Sequence, residues 1–267
     1  MKKIGVIGCG TIGTQICLAI DQGKVTSQLA GVADIDVSKA QELIRQLQKP
    51  CPILDWPDLI SQADLIVEAA GQRVVPQLIE MVLTQAKEVL VMSVGGLLSL
   101  DSLEERFRNS GSRLYVPSGA IAGLDAIKAA RLGGLQAVTL TTRKPPRGLK
   151  GAPYCEERGI DLESLDRETV VFEGSAREAA GYFPKNINVA AALSLAGLGP
   201  DKTRVRIIAD PHVTTNSHEI EAIGQAGRVL TRTVNVPSAF NPKTSYLAAL
   251  SGIATLQGIV NPVKVGT

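Results

Sequence analysis

The stretch Lys3-Ile4-Gly5-Val6-Ile7-Gly8-Cys9-Gly10-Thr11-Ile12-Gly13 decides the fold. An apolar run ends at a glycine, and two further glycines follow before a helical pattern begins. Gly8 allows a tight turn. Gly10 lets the backbone approach a pyrophosphate, and Gly13 permits close helix–strand packing. The N–H groups of a helix opening at Thr11 and Ile12 are then free to face phosphate oxygens. Asp34 ends the next apolar run, about 20 residues beyond Gly13, where a carboxylate accepts from a ribose 2′-hydroxyl. The whole context points to dinucleotide binding by Gly8, Gly10, Thr11, Ile12, Gly13 and Asp34. Taken alone, Asp34 has a lesser reading as a turn or cap residue, and Asp36 can share either role.

Outward from this unit, apolar runs alternate with helical patterns. Candidate strands are Lys3–Ile7, Leu29–Ala33, Leu65–Ala69, Val89–Met92 and Leu114–Val116. Their continuous apolar character suits parallel strands covered on both faces. Ser38-Lys39-Ala40-Gln41 has capping-box spacing, Pro76 suits the first turn of a helix to about Lys87, and Asp101 or Ser102 suits the cap of a helix through Arg108. The alternation predicts an α/β fold with a doubly wound parallel sheet.

After Pro117 the pattern changes. Ala120–Leu132 reads as a helix and Ala137–Thr142 as a strand, while Gly148–Asp166 reads as a loop with one short helical turn. Strands are expected near Thr169–Glu173, Arg204–Ala209, Ser217–Ile223 and Arg228–Asn235, with one strong helix at Ile187–Leu198. Successive strands without helices between them predict a second, α+β domain with a mostly antiparallel sheet. Asn241-Pro242 reads as cap and first turn of a helix over Tyr246–Val260, apolar around most of its circumference and so expected to be buried against the first domain. The domain reading is 1–119 with 238–267, and 120–237.

The 267 residues carry 28 Lys+Arg against 26 Asp+Glu, with 45% hydrophobic and 3% aromatic residues. This near-neutral balance gives no reason to expect nucleic acid or an anionic membrane as partner. No apolar run reaches the roughly 18 residues of a membrane span, and no targeting segment is read at the start. Cys9, Cys17, Cys51 and Cys155 have no CxxC spacing. Neither a disulfide framework nor a structural metal site is expected, and the expected compartment is a reducing cytoplasm.

Candidates for chemistry follow. Ala70 and Ser93 follow the third and fourth strands, where small residues let a nicotinamide ribose lie against the backbone; they read equally as ordinary turns. The two histidines are His212 and His218. His212 follows Asp210-Pro211 and reads as a turn residue. His218 begins a strand, with Asn216 on the same face by the period of two, and is the candidate general acid–base. Asn188 sits in a helical first turn, where its amide can bind a nicotinamide carboxamide or a substrate carboxylate, with Asn186 as cap. Arg143 and Lys144, in Thr141-Thr142-Arg143-Lys144-Pro145-Pro146-Arg147, read singly as solvated cations and together as a clamp for an acidic substrate. NAD is the simpler cofactor, since the Asp34 carboxylate repels a 2′-phosphate; Lys39 keeps NADP open.

These segments together resemble the L-aspartate dehydrogenase family. The resemblance rests on Gly8–Gly13, Pro117-Ser118-Gly119-Ala120-Ile121-Ala122-Gly123-Leu124-Asp125-Ala126, Thr142-Arg143-Lys144-Pro145-Pro146, Lys185-Asn186-Ile187-Asn188-Val189-Ala190 and Asn216-Ser217-His218-Glu219-Ile220. It covers essentially the whole chain in order. It implies a Rossmann domain completed by the C-terminal segment, and an inserted domain carrying catalysis and dimerisation. It implies His218 as the active-site histidine, and cofactor contacts at Asn188 and along Ala120–Gly123. It further implies a homodimer that oxidises L-aspartate to iminoaspartate. That product is hydrolysed to oxaloacetate and ammonia, or passed to quinolinate synthase on the route to NAD. Lys144, Arg143 and Lys185, beside Asn216, are then the candidates for the substrate carboxylates. Ala122 departs from the family's more usual glycine, which leaves the cofactor contact to Ala120 or Ala122.

Rival readings are a sibling such as homoserine dehydrogenase, dihydrodipicolinate reductase or aspartate-semialdehyde dehydrogenase, and a non-catalytic dinucleotide sensor. Paired histidines near a lysine, expected for the reductase, are not found. The semialdehyde enzyme needs a thiolate, which the acidic neighbours of Cys155 disfavour. A sensor needs neither His218 nor a substrate clamp.

Overall fold

The glycine turn lies between β1 (Lys2–Ile7) and α1 (Thr11–Asp21), in the register expected of it. This computed structural model describes residues 1–183, 187–238 and 241–266, with the side chains of 241–244 left out. The chain continues through β2 (Ser27–Ala33), α2 (Val37–Gln46), α3 (Trp56–Gln62), β3 (Leu65–Glu68), α4 (Val75–Thr84), β4 (Glu88–Val91), α5 (Leu103–Ser110) and β5 (Arg113–Tyr115). The five strands are all parallel, in the order β2-β1-β3-β4-β5. All of β3, Ile4–Ile7 of β1 and Val89–Val91 of β4 are buried, as expected of parallel strands covered on both faces. Ile4, Val6, Val32, Leu65 and Val67 pack with Ile16 and Ile20 of α1 and with Leu256 near the C-terminus. Each such side chain contributes about 1.5–3 kcal/mol by leaving water.

The second unit contains α6 (Leu124–Leu132), β6 (Leu135–Lys144), α7 (Pro153–Glu157), β7 (Thr169–Ser175), α8 (Ala176–Tyr182), α9 (Asn188–Ala196), β8 (Thr203–Ala209), β9 (Asn216–Gly224) and β10 (Gly227–Asn235). Its sheet runs β10-β9-β6-β8-β7. All neighbours are antiparallel except β6 and β8, which are parallel because a long crossover with helices joins them. Val138, Leu140, Thr142 and Lys144 of β6 are buried on one face, where the strand's alternation is clearest. A short hairpin, β11 (Pro237–Ser238) with β12 (Asn241–Ser245), precedes α10 (Tyr246–Val260). By contacts the chain divides into 1–117 with 248–265, and 118–247 with the last two residues.

Several local expectations are corrected. Asp36, not Ser38, caps α2; its carboxylate accepts from the Ser38 N–H, an Asx turn that competes with the capping box. Ser102 caps α5 by position, with no side-chain bond. The helix expected from Ala120 starts at Leu124, because Ala120–Gly123 is held as a loop by β10, as described below. Two helices lie between β7 and β8. The missed one, α8, opens with a complete Ser175/Glu178 capping box. Asn241 and Pro242 belong to β12 rather than to the start of a helix, because this segment pairs back onto β11. Finally, α10 is buried on one side only: Ala249 and Leu256 are fully enclosed, while Tyr246, Leu247 and Leu250 remain exposed.

Candidate functional site

Strand order reverses between β1 and β3, and in such sheets the crevice at their carboxyl ends takes the ligand. The fingerprint glycines there have separate physical roles. Gly8 has φ +101, and a Cβ on it would lie 2.5 Å from the Ala69 carbonyl. A Cβ on Gly13 would lie 1.8 Å from Gly8 O, so helix and strand can meet only at glycine. A Cβ on Gly10 would meet nothing within 4 Å. Glycine at 10 therefore answers no internal packing need, and the space over it is open for a ligand. Gly10 is also the N-cap of α1 and offers no side-chain cap, so the first-turn N–H groups at Thr11 and Ile12 keep their capacity for phosphate. The residues present fit a dinucleotide.

Asp34 directly follows β2, beside this turn. One carboxylate oxygen accepts from the Cys9 N–H at 2.7 Å and the other from the Asp36 N–H at 2.8 Å. The turn role and a ribose role thus fall on the same carboxylate, which has lone pairs for both. Lys39 lies 3.6 Å from Asp36, an exposed ion pair. Ala70 and Ser93 are brought together by a residue without a role in the sequence reading. Glu68, fully buried at the end of β3, accepts from the N–H groups of Ala70 and Gly71 at 2.8 Å each, from the Ser93 N–H at 2.9 Å and from the Ser93 hydroxyl at 2.9 Å. Burial raises its carboxyl above the usual range, and these four donors pull the other way. Its only sequence signal was a carboxylate closing an apolar strand.

The second unit carries the other candidates. On the sheet, His218 pairs with Thr142 of β6 and Thr233 of β10. Its Nδ1 lies 3.0 Å from Thr142 Oγ1, both groups buried. Burial first, and the nearby Lys144 cation second, push the imidazole down to about 3, so the ring is neutral at ordinary pH. Lys144 lies two residues beyond Thr142 on the same strand face, and burial lowers its ammonium to about 8. Asn216, two residues before His218, lies beside the same turn. A Cβ on Gly148 would be 3.7 Å from Lys144 Cβ and 4.0 Å from Asn216 Oδ1. His218, Lys144 and Asn216 therefore form one cluster.

Arg143 does not join it. Alternation turns it to the opposite face, where its guanidinium bonds Glu168 and, at 2.9 Å, Asp210. Its clamp role is withdrawn on that ground. His212 is a loop tie: its N–H donates to Asp210 at 2.9 Å, and its ring Nε2 lies 3.1 Å from Asp166 O. Cys155 is buried, and burial and Glu156 raise its thiol, against a thiolate nucleophile. Lys185 and Asn186 lie outside the described residues. Asn188 is the first residue of α9 and is exposed.

The Ala120–Gly123 loop is seated by β10. Thr231, Thr233 and Asn235 alternate along one side of that strand. Ala122 O accepts from the Thr231 hydroxyl at 3.0 Å; Ala120 O accepts from the Thr233 hydroxyl at 2.8 Å and the Asn235 amide at 3.0 Å. Ser245 donates to the other end of the Asn235 amide at 2.9 Å. Gly123 has φ +87, and a Cβ there would come 2.7 Å from Thr231 Cγ2, so the loop lies hard on the strand. Because Thr233 is paired with His218, this ladder also fixes the loop beside the histidine. Ala122 is exposed and is not among the non-glycine residues with positive φ, so its methyl costs no backbone strain.

Two family models match the chain. Residues 8–117 match the family described as homoserine dehydrogenase, NAD binding domain, and residues 125–259 match the family described as aspartate dehydrogenase, C-terminal. Fold and site thus define an oxidoreductase with a Rossmann-type nucleotide-binding domain and a separate mixed-sheet domain. The chain is 49% identical to the L-aspartate dehydrogenase of Methanosarcina mazei over 100% of both chains. It is 43% identical to that of Bradyrhizobium diazoefficiens, over 99% of this chain and 94% of the relative. The crystal structure of Thermotoga maritima aspartate dehydrogenase superposes with a TM-score of 0.75 at 27% identity, covering 100% of both chains. A homoserine dehydrogenase from Thiobacillus denitrificans shares the fold, with a TM-score of 0.63 at 14% identity, over 97% of this chain and 73% of that one. The chain belongs to the L-aspartate dehydrogenase family.

Proposed function

We propose that the protein oxidises L-aspartate to iminoaspartate with NAD, with NADP as a possible alternative cofactor. The iminoaspartate then hydrolyses to oxaloacetate and ammonia, or is handed to quinolinate synthase on the route to NAD. The observation that carries this reading is the buried cluster of His218, Thr142 and Lys144 in a chain that also bears an open dinucleotide fingerprint.

A bound nicotinamide supplies the hydride acceptor. Gly8, Gly10, Thr11, Ile12 and Gly13 hold the pyrophosphate, Asp34 the adenosine ribose, and Ala70, Ser93, Ala120, Ala122 and Asn188 the nicotinamide end. Lys144 pairs with a substrate carboxylate, Asn216 hydrogen-bonds beside it, and Lys185 is a further candidate cation. The substrate ammonium must lose a proton before Cα can release hydride. His218 is neutral; with Nδ1–H donating to Thr142 Oγ1, Nε2 carries the lone pair that takes that proton. A dicarboxylate paired with Lys144 cancels the cation that depresses His218 and so strengthens the base as substrate binds. Once that proton has passed to solvent, the neutral imidazole activates the water that adds to the imine carbon. The Asp34 carboxylate favours a free 2′-hydroxyl over a 2′-phosphate, which supports NAD.

A homodimer in the cytoplasm completes the reading. Ile223, Leu230 and Val234 leave apolar side chains 41%, 54% and 63% exposed on the open side of the second sheet, a surface suited to pairing with another copy. The hydride step is tested with L-aspartate carrying deuterium at Cα. Label arriving at C4 of the reduced nicotinamide supports the proposal; label lost to solvent contradicts it.

A further inference from the structure

We propose that Glu68 is a positioning residue for the dinucleotide, its carboxylate setting the backbone of the two turns that line the crevice at the strand-order reversal. The inference rests on reading that crevice as the nucleotide site. Four observations carry it. Glu68 is fully buried, so it cannot itself touch a ligand. It ends β3, paired with Ile7 on one side and Val91 on the other, directly at the reversal. One oxygen gathers the N–H groups of Ala70 and Gly71 and the Ser93 hydroxyl; the other takes the Ser93 N–H. The turn it holds is also the one against which Gly8 packs at a distance only glycine allows.

A neutral side chain would usually serve better in such a core, since a buried charge is costly unless fully satisfied. Here four donors converge on one carboxylate, and the three backbone N–H groups among them cannot face a donor in its place. Glutamine is the same size, but its amide nitrogen would confront at least one of those N–H groups. The carboxylate thus joins the turns after β3 and β4 into one rigid surface beside the glycine turn. Rigid turns let the nucleotide bind without first ordering its site.

The test is titration of the full chain with NADH, read by nucleotide fluorescence, for the wild type and Glu68→Gln, with melting temperature recorded for each. Glu68→Gln is expected to weaken nucleotide binding by about tenfold, the scale of a lost hydrogen bond to a charged group. The KM for L-aspartate should stay within about twofold. If Glu68→Gln does not fold, Glu68→Asp decides: it keeps the charge but is one methylene too short to hold both turns, and it should weaken binding in the same direction. A folded variant with NADH affinity within about twofold of wild type overturns the inference, even if its melting temperature falls. Wild-type protein that binds neither NADH nor NADPH overturns this inference and the nucleotide-site reading together.

Discussion

His218 Nδ1 and Thr142 Oγ1 lie 3.0 Å apart across adjacent strands, both buried. The contact orients the imidazole and leaves Nε2 as the ring nitrogen that Thr142 does not engage. Replacing His218 with Ala should leave nucleotide affinity unchanged and lower kcat by about a hundredfold to ten-thousandfold, the range for a lost general base. Thr142→Val keeps the shape but removes the hydroxyl; it should lower kcat about tenfold through misorientation, and Thr142→Ser should restore most of it. Steady-state kinetics beside nucleotide titrations check both. Equal kcat in Thr142→Val and wild type would remove the threonine from the account.

Lys144 makes a pH prediction. Burial lowers its ammonium from 10.5 to about 8 in the folded protein. Between those values the unfolded chain holds a proton that the folded chain has lost, so this group's contribution to stability rises with pH across the window and is lost as pH falls toward 8. At neutral pH the folded protein carries a buried ammonium at a cost. Lys144→Met should therefore unfold at higher urea than wild type at neutral pH, with the gap closing toward pH 10.5, while losing activity on L-aspartate. A gap that does not change with pH would contradict the assignment.

Two glycines of one fingerprint should behave oppositely. Gly13→Ala sets a methyl carbon 1.8 Å from Gly8 O and should destabilise the fold by about 3 kcal/mol or more, seen in chemical denaturation. Gly10→Ala has open space and should unfold as wild type does, yet bind NADH at least about tenfold more weakly, because its methyl occupies the pyrophosphate approach. Normal NADH binding by Gly10→Ala would show that the open space over residue 10 is not the phosphate site.

The β10 ladder gives a further separation. Thr233→Val removes one of the two donors to Ala120 O without changing side-chain size. It should raise the KM for the nucleotide several-fold, about what one neutral hydrogen bond contributes, and Thr233→Ser should reverse this. If both variants match wild type, the Ala120–Gly123 loop does not depend on this strand for its function.

Much of this was legible before any coordinates. The five parallel strands announced themselves by continuous apolar runs, and Gly8, Gly10 and Gly13 by their place after the first. His218 and Asn216 shared a face by simple alternation. Alternation also separated Lys144 from Arg143, a consequence the sequence reading left unused. What stayed hidden depended on register and on which backbone lies against which side chain. No local pattern pairs residue 142 with 218, or aims Thr231, Thr233 and Asn235 at a loop more than 100 positions earlier. Glu68 was visible only as a charge ending a strand; its meaning needed the turns after β3 and β4 brought side by side. The helix at Ala120–Gly123 was overestimated because Ala120 and Ala122 favour helix locally, and tertiary hydrogen bonds overrode that preference.

The most direct measurement is absorbance in the reduced-nicotinamide band with purified protein, NAD and L-aspartate, alongside D-aspartate, L-glutamate and L-homoserine. The account predicts reduction of NAD with L-aspartate alone, accompanied by release of ammonia. A signal with L-homoserine and none with L-aspartate, or silence with every substrate in protein that binds NAD, would contradict it.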